Sequence, residues 1–84
     1  MDTMTALRTL VNTPNTFAEY STAVASVQIY LGKQAGPRCF DVKADLPMGT
    51  YEGSHTPEGL FSILRKWGFH TVVDWEIKPT RNHV

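Results

Sequence analysis

The sequence predicts a single α+β domain, and three observations carry that expectation. Some stretches repeat apolar residues at helical spacing beside capping residues. Others alternate apolar and polar residues with the period of a strand. Glycine- and proline-bearing turns separate them. A chain of 84 residues has room for one core only, so residues 1–84 are expected to form one small domain. Its 42% of apolar residues is near the globular average and supports folding.

The first helix is expected from Met4, Leu7, Leu10 and Val11, with Asp2 or Thr3 as N-cap. Asn12-Thr13-Pro14-Asn15 ends it, because proline disfavours helix in the residue before it. Thr16-Phe17-Ala18-Glu19 has the form of a capping box. A helical pattern follows through Phe17, Tyr20, Val24, Val27 and Leu31 to about Lys33. Ser21-Thr22 and Ser26 interrupt it, so residues 16–33 read either as one helix or as two short ones. Gly32 and Gly36-Pro37 close that region.

From Arg38 to Ala44, Phe40, Val42 and Ala44 fall on one face and Cys39, Asp41 and Lys43 on the other, as in a half-buried strand. Asp45-Leu46-Pro47-Met48-Gly49 is a turn and Thr50-Tyr51-Glu52 a returning strand, which makes a β-hairpin. Thr56-Pro57-Glu58 starts a helix with a cap, a proline at the first position and an acid at the positive dipole end. Leu60, Phe61, Ile63, Leu64 and Trp67 form its apolar face, and Gly68 is placed to terminate it. A last strand over 70–78 alternates Thr71, Val73, Trp75 and Ile77 against Val72, Asp74, Glu76 and Lys78. It is expected to add antiparallel to the hairpin, giving three strands covered by helices on one face, with residues 79–84 frayed. The expected core is Leu7, Leu10, Phe17, Val27, Leu31, Phe40, Val42, Leu60, Leu64 and Trp67.

Composition narrows the function classes. Eight Lys/Arg against eight Asp/Glu give no formal net charge, which argues against non-specific coating of nucleic acid. A single cysteine, Cys39, rules out an internal disulfide framework and any zinc site built on a cysteine pair, and it fits a reducing interior. Met1-Asp2-Thr3-Met4 has neither the basic start nor the apolar run of a secretory leader, and no apolar run is long enough for a membrane span. An intracellular, cytoplasmic domain is expected.

Cys39, His55 and Asp41 are the only local candidates for a nucleophile, base and orienting acid, and Cys39 lacks any nucleophile signature. His55, His70 and His83 lack metal-ligand spacing, and no phosphate-binding glycine loop is present. Neither enzyme activity nor a cofactor nor a metal is expected. The charge pattern says more. Lys33, Arg38 and Lys43 face a single acid, Asp41, over 33–43, whereas Asp45, Glu52 and Glu58 follow without a basic residue between them. Lys33, Arg38 and Lys43 are therefore the expected partner-binding residues, beside an acidic hairpin tip. On a flat strand Arg38 and Lys43 point to opposite faces and cannot form one patch unless the strand twists, bulges or stands free as a wing. On the wing reading, Lys33 and Arg38, near the helix end and the wing base, are the better pair.

The order of elements, and above all Tyr51-Glu52-Gly53-Ser54-His55-Thr56-Pro57-Glu58-Gly59-Leu60, resembles the wing-to-final-helix junction of winged helix-turn-helix regulators. Met4, Leu7 and Leu10, Pro14-Asn15-Thr16-Phe17, Gly36, Thr56-Pro57-Glu58-Gly59, and Phe61, Leu64 and Gly68 also resemble the small T7-type phage inhibitors of host RNA polymerase carrying the stationary-phase sigma factor. That likeness covers about residues 4–68 and leaves the last strand outside it. It implies a winged-helix-like fold of two or three helices, a hairpin and a helix. The function it implies is a phage-type inhibitor that binds a host machine, with RNA polymerase the favoured partner. The alternative is a winged-helix regulator that binds DNA through its second helical region. A third reading is a structural module, monomeric or weakly dimeric, that uses its last strand as an edge.

Overall fold

The computed structural model describes residues 1–32 and 39–80. In chain order these form α1 (Thr3–Asn12), β1 (Thr16–Ser21), β2 (Ser26–Leu31), β3 (Phe40–Leu46), β4 (Gly49–His55), α2 (Pro57–Trp67) and β5 (Glu76–Pro79). The fold is a small α+β fold: one five-stranded antiparallel sheet in the order β4-β3-β2-β1-β5, with two helices. No helix among the described residues is long and apolar enough to cross a membrane.

Both helices form where their caps allow. The Asp2 carboxylate accepts from the Thr5 amide at 2.9 Å, satisfying a donor that the first turn of α1 leaves open. Hydrogen bonding to the Thr5 side chain, and after it to the Thr5 amide, holds the Asp2 carboxyl below its ordinary pKa. In α2, Thr56 caps the Gly59 amide, Pro57 follows, and Gly68 closes the helix at φ 83°, a conformation that costs other residues energy. One face of each helix then meets one face of the sheet. Leu7 and Leu10 of α1 and Leu60 and Leu64 of α2 join a single buried cluster with Ala18, Val27, Ile29, Phe40, Val42 and Ala44. The register explains why those strand residues share a side: Ala18 pairs with Ile29, Ile29 with Val42, and Val27 with Ala44.

The hairpin of β3 and β4, both helices and their caps agree with expectation, and so does the helix-covered single face. The region 16–33 does not. Described residues 16–31 form the antiparallel pair β1–β2, not helix. The Thr16 hydroxyl donates backward to the Thr13 carbonyl, and the Glu19 carboxylate is taken by Lys78 and Gln28, so no capping box forms. Thr22 supplies the turn, its hydroxyl oxygen accepting from the Val24 and Ala25 amides. Val27, Ile29, Tyr30 and Leu31 are residues that pack well on a pleated surface, and tertiary pairing overrides the helical spacing.

The last strand is also placed differently. Its ladder begins at Glu76 and pairs with β1, at the opposite end of the sheet from the hairpin. The unforeseen β1–β2 pair lies between the hairpin and β5, and α2 is part of the connection that carries the chain from β4 to β5 at the far edge. Trp75, just ahead of β5, is buried, and its indole N–H donates to the Thr3 hydroxyl at 2.9 Å. The Trp75 amide donates to the Met1 carbonyl, so the start of α1 is tied to the segment that leads into β5. Pro79 closes β5, and the Thr80 amide donates to the Asn15 carbonyl. Residues 81–84 lie outside the described residues.

Within the expected core, Phe17 is a correction: it is half-buried on the other face of the sheet. Leu31 and Trp67 are half-buried and pack against the core. Ala6, Ala18 and Ile29 join the core unforeseen, and so do Ala44 and Trp75, which alternation puts on apolar strand faces but outside the expected core.

Candidate functional site

Strand alternation gives the sheet a second face. It carries Phe17 and Glu19 of β1, Gln28 and Tyr30 of β2, Asp41, Lys43 and Asp45 of β3, Glu52 and Ser54 of β4, and Glu76 and Lys78 of β5. The core helices pack on the other side, so among the described residues no helix covers this face.

At its centre stands an aromatic ladder. Phe17 and Tyr30 are cross-strand partners with rings stacked 5.1 Å apart and 21° from parallel. The Lys43 ammonium lies 5.9 Å from the centroid of the Tyr30 ring. Polar bonds fix the ladder in place. The Tyr30 hydroxyl donates to Gln28 Oε1 at 2.9 Å, and Gln28 Nε2 donates to Glu19 Oε2 at 2.9 Å. Lys78 Nζ donates to the other Glu19 oxygen at 2.5 Å. Lys78, and after it Gln28, hold the Glu19 carboxyl below its ordinary pKa, and Glu19 raises Lys78 in return. Beyond the ladder, the Ser54 hydroxyl donates to Asp41 Oδ1 at 2.6 Å. Lys43 lines two clefts, one of about 240 Å³ shared with Asp45 and Glu52 and one of about 620 Å³ shared with Tyr30 and Asp41.

Tyr30 is flanked by Phe17 and by Lys43, so a flat ligand finds little open ring to stack on. The carboxylates of Asp41, Asp45, Glu52 and Glu76 outweigh Lys43 and Lys78 and repel phosphates. What the face presents is a half-buried aromatic ridge with an acidic surround.

Of the expected partner-binding residues, Lys43 stands exposed on this ladder. Lys33 and Arg38 lie outside the described residues. Cys39, Asp41 and His55 do not assemble into a triad. Asp41 binds Ser54 on the uncovered face, whereas His55 Nε2 lies 2.6 Å from the Tyr51 hydroxyl on the covered one. That Tyr51–His55 contact depends on Gly53, since a Cβ there would sit 2.5 Å from the Tyr51 hydroxyl. Among the described residues no group of His, Cys, Asp and Glu is placed to hold a metal ion.

Phe17, Gln28 and Tyr30 escaped the sequence reading because they lay inside a region read as helix. The alternation of Val27, Ile29 and Leu31 against Gln28 and Tyr30 was the signal that finds them. No family model, curated protein or solved structure matches this chain.

Proposed function

We propose that this chain is a non-catalytic regulator that docks on a larger host machine through the uncovered face of its sheet, with the transcription apparatus as the favoured target. The observation that carries the docking reading is the Phe17–Tyr30–Lys43 ladder: a buttressed aromatic ridge on a face that no helix covers among the described residues. Such anchors, fixed before binding, lose little conformational freedom on association and dominate protein interfaces. The choice of transcription rests on the resemblance of residues 4–68 to the T7-type phage inhibitors of RNA polymerase.

The winged-helix DNA-binding reading is the second one. It keeps the β3–β4 hairpin and α2, but described residues 16–31 offer no helix for the major groove, and the uncovered face is acidic. Purified bacterial RNA polymerase carrying the stationary-phase sigma factor separates the two. The regulator reading expects the chain to co-elute with that polymerase, to inhibit its transcription, and to leave a DNA gel shift empty at low and high salt. Failure to bind the polymerase, together with a gel shift that fades as salt rises, contradicts it and supports DNA binding.

A further inference from the structure

The two edges of the sheet are protected very differently. An edge strand exposes a row of backbone N–H and C=O groups, and native proteins blunt such rows with short strands, proline or lysine. The β5 edge has all three: it is four residues long, ends at Pro79 and carries Lys78. The β4 edge has none. It runs seven residues, Gly49–His55, with no proline, lysine or arginine, and pairs with β3 residue for residue without a bulge. Among the described residues β3 is its only strand neighbour.

Charge says what kind of strand fits there. From Asp45 through Leu64 the chain contains no lysine or arginine, while Asp45, Glu52 and Glu58 are all exposed at the hairpin end, along β4 and at the start of α2. A second copy of this chain would bring the same carboxylates to the seam, where like charges oppose pairing. A basic segment meets them favourably.

We propose that the outer edge of β4 receives an extended, lysine- or arginine-bearing segment of a partner protein as a sixth strand. Backbone hydrogen bonds supply the pairing, and Glu52, which shares a cleft with Asp45, selects the basic side chains. Glu52 also stands on the uncovered face, opposite Lys43, but the pairing itself uses the outer backbone groups of β4, which the aromatic ladder does not use.

The test titrates the isotope-labelled full chain with a blocked nonapeptide alternating lysine with valine or threonine, while backbone amide shifts are followed by NMR. The expected result is perturbation centred on residues 49–55. It should be lost when the peptide is N-methylated along both backbone edges, and lost again when glutamate replaces its lysines. Glu52→Lys should weaken binding roughly tenfold. Equal binding of the N-methylated peptide would reduce the contact to bulk charge and overturn strand addition. Shifts centred away from β4, or no binding, would overturn it too. Shifts at β4 that depend on protein concentration without peptide would assign the edge to a second copy instead.

Discussion

Val42 and Lys43 are neighbours in β3 and occupy opposite environments. Val42 is 1% exposed beneath the helices, whereas Lys43 stands in solvent beside the Tyr30 ring. Ala18 and Ile29 are likewise buried beneath the helices, while their neighbours Glu19 and Tyr30 are half-buried on the uncovered side. One set of strands therefore supplies two things through its period of two: a core that specifies the fold, and an uncovered surface whose side chains can change without disturbing it. Substitutions on the covered side should read out as stability, and those on the uncovered side as recognition.

The largest stability effect is expected at the covered face. Leu64→Ala removes a fully buried side chain of α2 and should cost about 2–5 kcal/mol, measured by denaturant melting. A loss well below that range would mean that α2 does not seal the face. Trp75→Phe comes next. It strips the Thr3 hydroxyl of its buried donor and should cost about 1–3 kcal/mol. Because this bond joins residues far apart in sequence, hydrogen exchange should show α1 and β5 loosening together.

The smallest effect concerns the pair Glu19–Lys78, which joins β1 to β5 across the uncovered face. Glu19 is held below its ordinary pKa, so its contribution is present above that value and lost as pH falls through the folded one. Lys78 is raised, so its contribution is present below its ordinary pKa and lost as pH rises through the folded one. Glu19→Gln should therefore leave a shallower fall in stability with acid and a slight loss at neutral pH, since Lys78 is 44% exposed and solvent screens the pair. An unchanged acid limb in Glu19→Gln would place the relevant carboxylate elsewhere.

The contrast between faces also explains what the sequence made legible. From Phe40 to Gly68 nearly everything could be read, because each signal was local: strict alternation in β3, a threonine–proline cap on α2 and a left-handed glycine at its end. Residues 16–31 misled for the opposite reason. Phe17, Tyr20, Val24, Val27 and Leu31 match helical spacing, yet Ala18, small and fully buried, gives no apolar signal of its own strand. Partners remote in sequence decide the matter, including Lys78 on Glu19 and Ile77 opposite Ala18. With that region misread, the aromatic ladder was invisible. Lys43 alone could be found, from the charge pattern of its neighbourhood.

A matched pair of substitutions at adjacent positions tests the division most directly: Val42→Ala and Lys43→Glu, each measured for melting and for binding to RNA polymerase carrying the stationary-phase sigma factor. Val42→Ala should lose about 2 kcal/mol of stability and, while folded, bind as the parent chain does. Lys43→Glu should melt as the parent does and bind at least roughly tenfold more weakly, because it reverses the charge resting on the Tyr30 ring. Full-strength binding of a folded Lys43→Glu chain would contradict the account.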